Sequence, residues 1–431
     1  MTSHLLFAAV VIFGSSTWLA TNSIWMQLPL LTQTLPEGWS LPSYLAAIVQ
    51  VACVAPVIYS IFFKCTQVKI NTSYVIGGLI LFCSLCLGLA SLYWDSIMEF
   101  SNTHISLAFM GLVFGMACVN STSNVLFMPY MASFNPELLN AYFFGMGLSS
   151  LVPSIVSLIQ GTGRYDCVKL ENTTIFTPSY YAPIFSVSTF FGLMGIYMLI
   201  TLCAFIYINS LNTAPDNDTT KNHPTEEEEI NEMTQLRATT DNTTPPNDQG
   251  KDLFKFVYQW CMLAFISAQM NSIIPSIQSF ASLPYSQSTY HFALTLSMIA
   301  SPLACILPYY ISPPSLKAST ILTLISTIAS SVIVLFAAYS PQILISLASG
   351  SIAVILASII SSSLHAFLRT TLTTEIRNES TSTHSTHSRL FWSGWVIQIG
   401  SFVGALGIFP LVNMFSFFQS AQPCSDLNLS Y

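Results

Sequence analysis

The chain has 431 residues, 52% hydrophobic and only 7% charged, with a formal net charge of -7 and a mean hydropathy of +0.60. Water-soluble domains are about one quarter charged, so a soluble globule is excluded. No basic stripe exists for nucleic acid, and the ten cysteines include no CxxC pair matched by a second pair or by histidines, which leaves no zinc framework.

A helix needs about 20 apolar residues to cross a bilayer. The apolar run beginning at Leu5 has no basic region before it and continues past Pro29, so it reads as a first transmembrane helix over 4–31 and not as a cleaved signal. Trp18, Asn22 and Trp25 stand at i, i+4 and i+7 on one face of that helix, with Gln27 on the opposite side. Segments 43–63 and 72–93 follow, the latter with Cys83 and Cys86, which read as small packing hydrophobes. The fourth, 105–133, carries Asn120 and Asn124 at i, i+4 with Ser121 and Ser123 beside them. The fifth, 138–160, has Tyr142, Met146, Ser149, Pro153 and Gln160 on one face, with Gly145 and Gly147 suited to close helix approach. Segment 182–208 is the sixth.

Residues 210–253 hold ten of the 19 acidic residues, including the run Glu226–Glu229, and almost no core-forming side chains. They read as a disordered acidic linker between a six-helix bundle, 1–209, and a five-helix bundle, 254–415. The second bundle comprises 254–277, 290–311, 318–339, 342–368 and 390–415, followed by a tail, 416–431. Asn271, Pro275 and Gln278 share a face in the first of these; Trp395 and Gln398 stand at i, i+3 in the last. His365, near one end of 342–368, reads as a structural histidine, and His384 and His387 lie in a polar loop. The fold class is therefore an all-α polytopic membrane protein of about 11 transmembrane helices in 6+5 bundles, major-facilitator-like or equilibrative-nucleoside-transporter-like.

With the N-terminus in the cytosol, ten of the 12 basic residues fall inside, and only Arg164 and Lys169 fall outside. The sequons at Asn172 and Asn428 then face outward as glycosylation candidates, and Cys167 and Cys424 share that side, which would allow a disulfide between them.

No HExxH, Walker loop, GxSxG or intramembrane aspartate pair is present, so neither an enzyme nor a resident cofactor or metal is indicated. The polar groups inside the spans are amides, hydroxyls and aromatics. They admit two readings: bonds between helices, or a wet cavity in which tryptophans stack a flat heterocycle and amides read its edge. A carrier for such a solute, whether a vitamin or a nucleoside, and a surface receptor without transport are all compatible with that cavity.

The run Trp18–Tyr44, WLATNSIWMQLPLLTQTLPEGWSLPSY, resembles the opening of the eukaryotic riboflavin transporters, solute carrier family 52, and LPEGWSLPSY (Leu35–Tyr44) is its most specific part. SNVLFMPYM (Ser123–Met131), FFGMGLSSLVPSIVSLIQGTGR (Phe143–Arg164), IIPSIQSFASLPY (Ile273–Tyr285), SPLAC (Ser301–Cys305) and IQIGSFVGALGIFP (Ile397–Pro410) continue the resemblance in order. It implies a plasma-membrane carrier with riboflavin as substrate and the lipid bilayer as its setting, and it carries over Trp18, Asn22, Trp25, Asn124 and Gln278 by position. Tyr142, Asn120, Asn271, Trp395 and Gln398 complete the candidate substrate-binding set. Two positions depart from the family pattern: Gln27 stands where an acid is usual, and Met146 where a glutamine is.

Overall fold

In hydrocarbon a chain must satisfy its own backbone polar groups, and a segment crossing alone can do so only as a helix. The computed structural model describes residues 4–56, 58, 71–100, 103–132, 134, 136–161, 165–169, 176–212, 246–310, 315–378 and 383–420. Its first half contains α1 (His4–Ser15), α2 (Leu19–Thr34), a 3-10 turn (Gly38–Ser40), α3 (Leu41–Ala52), α4 (Thr72–Tyr93), α5 (Leu107–Ala132), α6 (Pro136–Gln160) and α7 (Val187–Asn212). The second half contains α8 (Pro246–Ala268), a π turn (Gln269–Ile273), α9 (Ile274–Ser282), α10 (Gln287–Ile306), α11 (Leu316–Ala338), α12 (Leu347–Asn378) and α13 (Thr383–Asn413). Each of the eleven predicted segments contains helix, which starts only at Val187 in the sixth and at Leu347 in the tenth; residues 57 and 59–63 of the second lie outside the described residues. Among the described residues eight helices are long and apolar enough to cross a bilayer, nine if α1 and α2 count as one span.

Four expectations are corrected. The first span is not one helix: α1 and α2 meet at a 55° bend. The ends of the predicted linker are helical, since α7 runs to Asn212 and α8 starts at Pro246, while 213–245 lie outside the described residues. His384 and His387 do not lie in a loop: α13 starts at Thr383 and includes both. The predicted tail begins by folding back: Phe418 packs on Phe280 at 5.7 Å between ring centroids, and Ser340 Oγ donates to the Gln419 carbonyl at 2.6 Å.

Within the first half α1 packs on α6 and α7, α4 on α5 and α7, and α2 on α5 and α6. In the second, α8 packs on α13, α10 on α12, and α11 on α9 and α12. The halves meet where α3 touches α9 and α13, and where α2 and α6 touch α10. Small residues set the closest crossings. A side chain at Gly145 would collide with the Val11 carbonyl, and one at Gly14 with the Tyr142 carbonyl. In the second half Gly400 and Gly404 lie in the same way against Ala264 and Ala268. Gly147 faces Pro302 of α10 instead. Cys83 and Cys86 are buried on α4 with their thiols free, in keeping with packing.

Gly145→Val should force α1 from α6 at a cost of about 1–3 kcal/mol, the usual range for overpacking. The thermal unfolding midpoint of the purified protein should fall, whereas Gly407→Ala, at a position open on all sides, should leave it unchanged.

Candidate functional site

The bend in the first span leaves backbone groups without helical partners at mid-bundle, a serious cost where water is excluded. The local sequence answers this with hydroxyls. Ser15 Oγ donates to the Ile12 carbonyl, Ser16 Oγ to that of Phe13 and Thr17 Oγ1 to that of Gly14. Two further backbone groups are met from α5. With its amide oriented to satisfy both neighbours, Asn120 Nδ2 donates to the Thr17 carbonyl at 2.9 Å, and its Oδ1 accepts from the Thr21 amide at 3.1 Å and from the Thr21 hydroxyl. Asn120 is wholly buried. Of its two readings the structure favours the bond between helices, and its amide is not left to face open space.

Beyond the bend, α2 is buried from Leu19 to Thr32 except at Asn22 and Trp25. Trp18 is half-buried too and stands at the N-cap of α2, its carbonyl accepting from the Asn22 amide at 2.9 Å. The three residues spaced along one face are thus the open side of an otherwise enclosed helix. The opposite side joins α6. Gln27 Nε2 donates to Gln160 Oε1 at 2.7 Å, and Gln160 Nε2 donates to the Phe185 carbonyl at 3.0 Å. Ser154 Oγ and Ser157 Oγ donate to Met26 Sδ and its carbonyl, each at 3.3 Å. At the edge of this seam Asn22 Nδ2 reaches Ser149 Oγ at a long 3.5 Å. Hydrogen bonds from nitrogen to oxygen usually span about 2.7–3.2 Å, so this contact is at the weak end and little would be lost if the side-chain amide turned to a ligand.

The second half offers a matching arrangement. Asn271, in the π turn, is half-buried and donates to Ser401 Oγ at 2.9 Å. Ser272 Oγ donates to the Ser401 carbonyl at 2.5 Å, so α13 supports this turn as α5 supports the bend. Gln398 is half-buried and stands near Cys53, just past the end of α3, across the boundary between the halves. Trp395, one turn away, is more exposed.

Two other expected ligand residues are closed off. Tyr142 is 1% exposed and packs on Phe13, and Gln278 is 3% exposed, its amide donating to Ser358 Oγ at 2.8 Å and Ser282 Oγ at 3.1 Å. Asn124 lies in α5, but its side chain is outside the described residues, as are the Cys167 side chain and Asn172, Cys424 and Asn428. His365 is buried, with Nδ1 3.3 Å from Ser361 Oγ and Nε2 without a partner among the described residues. Reasoning from spacing did not anticipate Cys53 or Ser149 as neighbours of the site. The only signal was the face shared by Ser149, Met146 and Gln160.

A family model described as solute carrier family 52, riboflavin transporter, matches residues 2–420. Riboflavin transporter rft-1 of Caenorhabditis elegans is 40% identical over 429 residues, covering 97% of this chain and 98% of the relative. The human solute carrier family 52 member 2, also named a riboflavin transporter, is 29% identical over 98% of this chain and 97% of its own length. Among solved structures, a D-xylose–proton symporter superposes with a TM-score of 0.61 at 11% identity, covering 95% of this chain and 91% of that one. The peptide transporter PepTSo superposes with a TM-score of 0.60 at 11% identity, covering 95% and 90%. At such identity the likeness concerns the fold alone, which is major-facilitator-like.

Asn120→Ala should cost about 1–3 kcal/mol, the penalty for leaving buried polar groups unsatisfied. The melting temperature and the amount of folded protein should both fall. An unchanged melting temperature would show that the bend does not need this amide.

Proposed function

We infer the activity of this chain from its family: it belongs to solute carrier family 52, the riboflavin transporters. The reading is a carrier that takes riboflavin into cells across the plasma membrane, with the N-terminus cytosolic, the C-terminus outside, and Asn172 and Asn428 available for glycosylation. The lysine and arginine bias supports this orientation. A Cys167–Cys424 disulfide belongs to the same proposal.

Riboflavin is uncharged near neutral pH, with a flat tricyclic ring and a polyol tail. A site for it needs ring faces and neutral hydrogen-bonding groups. Trp18 and Trp25 supply faces, each stacking contact contributing about 1–3 kcal/mol by analogy with nucleobases. Asn22, Asn271 and Gln398 supply donors and acceptors, with Trp395 beside them, and Asn124 is assigned by family position. No Lys, Arg, Asp or Glu belongs to this set, so a phosphorylated flavin would lack a counter-charge. The two halves would rock about their shared seam to expose the site to each side in turn. The observation that carries the reading is that Asn22 and Trp25 alone are open on α2 between Leu19 and Thr32.

Cells expressing the chain should show saturable uptake of radiolabelled riboflavin, competed by riboflavin but not by flavin mononucleotide or a nucleoside. Asn22→Ala should lower uptake efficiency about tenfold, the equivalent of one well-formed hydrogen bond, with surface abundance unchanged. Absence of saturable uptake would refute the reading, and wild-type uptake by the variant would remove Asn22 from the site.

A further inference from the structure

The segment Leu35–Tyr44 is the most specific run in the sequence, yet none of its side chains belongs to the set just assigned to the ligand. The structure gives it different work. Gly38 adopts a left-handed φ of 52°, a conformation that favours glycine, and so turns the chain sharply into the 3-10 turn. Glu37 ties that turn to the first half: one carboxylate oxygen accepts from the Ser106 amide at 2.8 Å, and both accept from the Ser106 hydroxyl at 2.9 Å. A carboxylate is also favoured there by the positive end of α5.

Thus anchored, the segment grips the second half. The Trp39 carbonyl accepts from Ser279 Oγ at 2.6 Å, and its ring meets Phe280 edge-on at 6.0 Å. Phe280 is backed by Phe418. Asn413 Nδ2 donates to Ser43 Oγ at 2.8 Å, and the Tyr44 ring stands edge-on to Phe409 at 5.4 Å. Ser43, Ser279 and Phe280 are buried by these contacts.

We propose that Leu35–Tyr44 is the outer gate of the carrier, held shut in this structure by the Trp39–Ser279, Ser43–Asn413 and Tyr44–Phe409 contacts. The proposal rests on the carrier reading and its orientation. Each grip is a neutral hydrogen bond or a ring-edge contact, individually about 1 kcal/mol. A few such contacts close a boundary firmly but still let it open. Glu37 is then a positioning residue: it fixes the turn to α5 so that the grip on α9 and α13 forms or breaks as a unit.

The test joins Ser43→Cys and Asn413→Cys with a short reducible cross-linker in intact cells, with Asn22→Cys as a reporter for a membrane-impermeant thiol reagent and the same protein without the reporter as blank. In the protein without the reporter, cross-linking should stop riboflavin uptake, with recovery on reduction; in the protein with it, cross-linking should cut outside labelling about tenfold or more, as a locked minor state requires. Ser279→Ala, which removes one grip without new thiols, should raise that labelling. Complete cross-linking with labelling unchanged would overturn the gate, as would labelling that Ser279→Ala leaves untouched. Labelling does not depend on the solute, so loss of labelling in a protein that carries no riboflavin would refute the proposed function and uphold the gate.

Discussion

The site depends on how one break in a membrane helix is made tolerable. Between Ser15 and Leu19 the first span gives up regular hydrogen bonding where no water can replace it. Asn120 of α5 meets the Thr17 carbonyl and the Thr21 amide together, and Ser15, Ser16 and Thr17 bond back to carbonyls of α1. Without the break α2 would continue the line of α1. With it, α2 enters the centre of the molecule, is buried by α5, α6 and α10, and leaves Asn22 and Trp25 open. Partnering polar groups in a low-dielectric interior thus decides which side chains remain for a ligand.

The second half solves the same problem in a parallel way. Its first span also packs on small residues, here Ala264 and Ala268 against Gly400 and Gly404, and then departs from α-helix in the π turn Gln269–Ile273. Ser401 of α13 serves this irregularity as Asn120 serves the other. Each bundle therefore presents one irregular first span, stabilised by a later helix of the same bundle, and each irregular span carries an amide, Asn22 or Asn271, on a half-open face. Two halves that each carry a specialised span near their shared boundary suit alternating exposure of a site between them.

Much of this was legible in the sequence. Helix locations followed from apolar length, and helical spacing set Gln27 apart from Trp18; in the structure Gln27 pairs with Gln160. What spacing could not tell was which amides are consumed within the bundle. Asn120 and Asn22 look alike in sequence, both inside apolar spans with a partner at i+3 or i+4. Only the break, which has neither proline nor glycine between Ser15 and Leu19, separates a wholly buried Asn120 from a half-open Asn22. Gln278 likewise carried a ligand's credentials until Ser358, 80 residues later in the chain, was placed beside it. The role of Leu35–Tyr44 was hidden because its partners, Ser279 and Asn413, lie in the other half.

The most direct measurement is an electron cryomicroscopy map of the protein in lipid nanodiscs with riboflavin bound. The account predicts density for the tricyclic ring between α2 and the second half, within contact of Trp25 and with Asn22 turned to its edge, and a first span still bent at Ser16–Trp18. Ring density on the lipid-facing surface or beside a lysine or arginine, or a first span that runs straight through Asn22, would contradict it.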